Sequence, residues 1–164
     1  MQSLNSAPTE TRGYAPVNGL EMYYEIEGSG DPLVYLPPVF SCAGVKSFPA
    51  LAQNHSVITV DFQGHGRTAD IPERPITLEQ NAKDVVRLLQ CLGISKADFF
   101  GESYGGVVAT MLALRYPELV GRVATYGANF GAPRLHTIRR CCALTTRPRR
   151  TPSASSFRKT PTGR

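Results

Sequence analysis

The sequence predicts an α/β domain built on a mostly parallel, doubly wound sheet with an antiparallel N-terminal edge. Three observations carry that prediction. Two short continuous apolar runs, LVYL at Leu33–Leu36 and SVITV at Ser56–Val60, have the character of strands buried on both faces of a parallel sheet. Helical patterns alternate with strand patterns from Thr77 onward, the order that winds a parallel sheet. Before them, LEMYYEIE at Leu20–Glu27 is rich in β-formers and stops at the turn signal Gly28-Ser29-Gly30-Asp31-Pro32. A chain of 164 residues is long enough to bury one domain's core.

Taken in order, residues 1–12 are polar and expected to be loose. A shorter partner near Tyr14–Val17 pairs with Leu20–Glu27 as a hairpin, and LVYL follows, stopped by Pro37-Pro38. Val45–Gln53 is expected to be a short helix leading into the SVITV strand, which ends at Asp61. Thr77-Leu78-Glu79-Gln80 fits a capping box, with Thr77 as N-cap and Gln80 at the third helical position. The helix it opens places Ala82, Val85, Val86, Leu89 and Leu92 on one face and is closed by Gly93. Ala97–Gly101 reads as a strand, Tyr104–Tyr116 as a helix ended before Pro117, and Arg122–Tyr126 as a further strand.

The charge divides sharply. Residues 1–133 hold 9 Lys and Arg against 13 Asp and Glu, a net of −4, whereas residues 134–164 hold 9 and none, a net of +9. The expected organisation is therefore a domain over residues 13–133 and a basic tail over 134–164. That tail, dense in Arg, Ser, Thr and Pro, cannot bury enough apolar surface to offset its ordering entropy and is expected to be disordered. It has one aromatic residue, Phe157, and no interleaved aromatic pattern, so a nucleic-acid-binding arm is the weaker reading beside a solvated tail. The N-terminus lacks the apolar core of a secretory signal, and no apolar run approaches the ~20 residues a membrane helix needs. Cys42, Cys91, Cys141 and Cys142 show neither disulfide-framework nor metal-ligand spacing, which points to a reducing cytoplasm; no metal and no cofactor are expected.

The candidate for chemistry is GESYG at Gly101–Gly105, a G-x-S-x-G between a strand pattern and a helix pattern. A serine held there sits on a sharp strand-to-helix turn, and the residues two before and two after it must be small for strand and helix to approach. Gly101 and Gly105 meet that demand, leaving Ser103 as candidate nucleophile.

From YYEIEGSGDPLVYL through VDFQGHGRT and GESYGG to LALRYPELVGRV, the stretch Leu20–Asn129 resembles the N-terminal part of the α/β-hydrolase superfamily. The resemblance implies hydrolysis of an ester, amide or related bond in a small-molecule substrate. It casts Ser103 as nucleophile and the N–H of Tyr104 as one oxyanion-hole donor. The second donor in the family follows a His-Gly pair; here the loop reads Leu36-Pro37-Pro38-Val39, and the N–H of Val39 is the expected counterpart. It also casts His65 as a loop residue holding the Asp61–Thr68 turn. His55 is expected at the surface, and Glu102 as incidental.

A serine needs a base oriented by a carboxylate, in the family order Ser, acid, His. After Ser103 the chain offers only Glu118 and His136, and neither falls where the resemblance places the acid and the base. The resemblance ends where the charge changes sign, so the last strands of the fold are expected to be missing, as in a truncated or frameshifted product without activity. The alternative is a non-catalytic binding or interaction protein on a hydrolase half-fold. The sequence leaves the substrate and the oligomeric state open.

Overall fold

The computed structural model describes residues 10–130. Six strands, β1 (Glu10–Val17), β2 (Leu20–Gly28), β3 (Asp31–Leu36), β4 (His55–Val60), β5 (Ala97–Glu102) and β6 (Val120–Tyr126), form one sheet in the order β1-β2-β4-β3-β5-β6. The β1–β2 and β2–β4 pairs are antiparallel, and β4–β3, β3–β5 and β5–β6 are parallel. The expected mixed sheet with an antiparallel N-terminal edge is what forms. Three helices, α1 (Pro49–Ala52), α2 (Leu78–Cys91) and α3 (Tyr104–Arg115), supply the parallel connections.

The hairpin turn is Asn18-Gly19, both at positive φ (49° and 87°), the pairing that matches strand twist in a two-residue hairpin. It lengthens the first strand beyond the expected Tyr14–Val17. Residues 10–12, assigned by the sequence to a loose N-terminus, pair with Glu25–Glu27. The helix expected over Val45–Gln53 shrinks to Pro49–Ala52, because the residue before a proline is pushed out of helical geometry; Phe48 sits at ψ 57°. The basic tail at 134–164 lies outside the described residues, as do residues 1–9.

Strand register explains the core. Ile26, Ile58, Val34, Phe99 and Val123 align across β2, β4, β3, β5 and β6 and face α2 and α3. Val34, Ile58 and Phe99 in that row are buried against Val85, Leu88, Val108 and Leu112 of the two helices. Burying a side chain of this size contributes roughly 1.5–3 kcal/mol, so this layer dominates the stability. The opposite face carries a thinner cluster of Leu33, Val57, Ala52, Phe48 and Phe100 under α1. Central β3 serves both layers, which is why it reads as unbroken apolar sequence rather than alternation. In α2, Thr77 accepts the Gln80 N–H at 3.1 Å, while the Gln80 side chain bonds Asp84 instead of returning to the cap, so half of the capping box forms.

Candidate active site

β5 ends at Glu102 and α3 begins at Tyr104, leaving Ser103 alone at the turn. Its backbone adopts φ 50° and ψ −114°, a combination that side chains other than glycine seldom occupy. Three hydrogen bonds hold it there. Ser103 N–H donates to Tyr126 O at 2.8 Å, and Ser103 O accepts from Gly106 N at 3.0 Å and Val107 N at 3.3 Å. The Ser103 residue is solvent exposed.

The flanking glycines are required by contact rather than by dihedral angle. A Cβ on Gly101 would lie 2.4 Å from Gly105 O and 2.5 Å from Gly106 Cα. One on Gly105 would lie 2.0 Å from Leu36 O and 2.7 Å from Pro37 O. Gly106, to which the sequence reading gave no role, has the same constraint, with a Cβ 2.7 Å from that of Ala128. The Gly-Gly doublet was the available signal.

The contact of Gly105 with Leu36 and Pro37 brings the start of the loop after β3 against the first turn of α3. Tyr104 opens that turn, so its N–H is among the amide hydrogens that have no partner within a helix. Its ring meets Phe62 edge-on at 5.8 Å and its hydroxyl accepts from Asn81 Nδ2 at 2.8 Å. Burial pushes the Tyr104 phenol above its ordinary value. Val39 lies in a turn closed by Ser41 N–H on Pro38 O at 3.2 Å. Phe40, third in that turn, takes φ 63° and is 96% exposed at a position usually given to glycine.

The same loop is tied down further along. Asp61, fully buried at the end of β4, accepts the amides of Ala43 and, at 2.8 Å, of Arg67. Burial raises the Asp61 carboxyl above its usual range, and the two amides oppose that shift. Thr68 completes the knot by donating to Asp61 O at 2.8 Å and accepting from Tyr23 N at 2.9 Å. His65 Nδ1 sits 2.9 Å from Gln63 O, inside the loop where the sequence placed it as a structural residue.

Glu102, expected to be incidental, is anchored. One carboxylate oxygen accepts from Tyr35 Oη at 2.8 Å and from Lys46 Nζ. Lys46, then Tyr35, hold the Glu102 carboxyl below its ordinary range. Burial and the carboxylate push the Tyr35 phenol strongly up.

His55 is half-buried at the start of β4, with a buried Nδ1 that has no hydrogen-bond partner, rather than at the surface as the sequence suggested. In a parallel sheet the start of β4 lies at the end away from Ser103. Glu118 follows the far end of α3, a 12-residue helix and so roughly 18 Å long, which carries it away from Ser103. His136 lies outside the described residues. No group of three or more His, Cys, Asp or Glu among the described residues is arranged to hold a metal ion, and no described helix is long and apolar enough to cross a membrane. A cavity of about 280 Å³, lined by Glu25, Glu27, Lys46 and Thr59 among others, opens over β2 and β4 without reaching Ser103.

A strained serine between strand and helix, close-packed glycines on either side and a mixed sheet define a class of fold. Residues 39–139 match the alpha/beta hydrolase fold family, more than half of the chain, and the chain belongs to that family. Human serine hydrolase BPHL is 31% identical over 127 residues, covering 73% of this chain and 43% of that protein. Bifunctional epoxide hydrolase 2 of Sus scrofa is 35% identical over 131 residues, covering 73% of this chain and 22% of its own length. Among solved structures, the enol-lactonase from Burkholderia xenovorans LB400 matches with a TM-score of 0.64 at 33% identity, over 68% of this chain and 46% of that one. The chain spans less than half the length of these relatives.

Proposed function

We propose that this chain carries the nucleophile-bearing part of a serine hydrolase that cleaves an ester, amide or related bond in a small molecule. The observation that carries the proposal is the Ser103 backbone at φ 50° and ψ −114°, mounted between β5 and α3 on glycines with no room for a side chain. Ser103 Oγ attacks the carbonyl carbon, and the carbonyl oxygen becomes an oxyanion. Tyr104 N–H, at the positive end of the α3 dipole, and Val39 N–H receive that charge. In this reading the base that takes the hydroxyl proton and the acid that orients it lie beyond residues 10–130, since His65 is bonded within its own loop and His55 lies at the other end of the sheet. The reaction uses no cofactor and takes place in the cytoplasm.

A fluorophosphonate probe tests the reading. Labelling of Ser103 in folded protein, lost in Ser103→Ala, supports it; folded protein that resists labelling sinks it. The placement of the two described histidines favours a second reading, a non-catalytic binding protein on the same half-fold. That reading expects a cooperative thermal transition raised by a small-molecule ligand and no labelling.

A further inference from the structure

Three carboxylates, those of Asp61, Glu27 and Glu102, accept hydrogen bonds from the loop that carries Val39. Ala43 donates its N–H to Asp61 at the end of β4. Ser47 Oγ donates to Glu27 of β2 at 3.0 Å. Lys46 Nζ donates to Glu102 of β5. Of these three anchors, Glu102 alone belongs to the strand that delivers Ser103, and it is the residue immediately before it. Its carboxylate is itself fixed by Tyr35, whose ring is buried on β3 against Phe48 at 4.7 Å and Phe100 at 5.6 Å. The Glu102 side chain is 19% exposed and that of Lys46 43%, so this is a contact between a seated carboxylate and a half-exposed ammonium.

We infer that Glu102 is a positioning residue: with Lys46 it latches the loop after β3 onto the nucleophile strand, fixing the Val39 N–H relative to Ser103. The inference rests on the reading of Ser103 as nucleophile, and its physical basis is a division of labour within Glu102. Tyr35 and Lys46 share one carboxylate oxygen. A glutamine oxygen still accepts from Tyr35, more weakly than the carboxylate, but it offers Lys46 no opposite charge. Glu102→Gln therefore keeps the seat and releases the latch, and Lys46→Met releases it from the other side while leaving Glu102 and Tyr35 bonded. The strained Phe40 and the exposed Val39 lie on the stretch that the latch restrains.

Two readouts on the full chain test this. Amide hydrogen exchange over residues 39–46 reports the loop, and the rate of fluorophosphonate labelling reports the site. Releasing a half-exposed ion pair shifts a loop equilibrium by about fivefold at most. Exchange in Glu102→Gln and in Lys46→Met should rise by up to that factor, and the labelling rate of Ser103 should fall by a similar one. The double variant should match either single variant, and unchanged exchange in α2 should show that the fold is intact. Exchange that does not change in either variant overturns the latch. Faster exchange with labelling at the wild-type rate overturns the positioning role. Faster exchange with no labelling in any form, wild type included, sinks the nucleophile reading and leaves the latch standing as a loop anchor.

Discussion

Replacing Gly105 with alanine probes the tightest glycine contact among the described residues. The added Cβ falls 2.0 Å from Leu36 O, 2.5 Å from Leu36 C and 2.7 Å from Pro37 O, whereas real Cβ contacts essentially never fall below 3.0 Å. The separation must therefore grow by about 1 Å, and the obstructing atoms are main chain at the end of a strand held between β4 and β5. Neither side gives cheaply, so the helix must lift from the sheet. Overpacking of this kind costs roughly 3 kcal/mol or more, against about 1 kcal/mol gained from alanine's better helix propensity. The net loss of about 2–3 kcal/mol corresponds to a fall in Tm of roughly 6–10 °C for a domain of this size. Circular dichroism melts compare this variant with Gly93→Ala, where φ is 70° and nothing lies within 4 Å. There the cost is the left-handed backbone alone, roughly 1–2 kcal/mol. A Gly105→Ala protein as stable as wild type would refute the close packing of α3 on the end of β3.

Three further outcomes follow from the same contacts. Thr68→Val strands the buried Tyr23 N–H and Asp61 O together, and chemical denaturation should show a loss of about 2–3 kcal/mol with an unchanged m-value. Thr77→Ala removes the cap on the Gln80 N–H and should cost about 1 kcal/mol, seen as a Tm drop of a few degrees. The Glu102 carboxyl is held below its ordinary value of 4.5, so its contribution to stability is present above that pH and is lost as pH falls through the lower folded value. The difference in stability between wild type and Glu102→Gln, followed through Tm, should therefore be greatest near neutrality, at most about 1 kcal/mol after screening, and should close in acid. A difference that widens below pH 4.5 contradicts that sign.

Legibility followed the range of the interaction. The elbow could be read because its constraint is local: Gly101, Ser103 and Gly105 lie within five residues. The start of α2 was visible for the same reason, since Thr77 and Gln80 are one turn apart. Glu102 looked incidental because its partners, Tyr35 and Lys46, stand 67 and 56 residues away and meet it only after β3 and β5 pair. Asp61 likewise reads as the first residue of a loop motif, and only the fold shows it gripping Ala43 on another loop. The placement of β4 between β2 and β3 has no signature in any one segment, because it is decided by which strands bury their faces together. The apolar residues over 45–53 suggest a longer helix than forms, because Pro49 holds the residue before it out of helical geometry.

The most direct test of the account is whether Ser103 forms a covalent acyl intermediate. The folded chain is mixed with p-nitrophenyl acetate, quenched in acid and mapped by peptide mass spectrometry. The account predicts an acetyl adduct on the peptide that contains Ser103 and its disappearance in Ser103→Ala. Folded protein without an adduct on that peptide, or an equal adduct in the alanine variant, would contradict it.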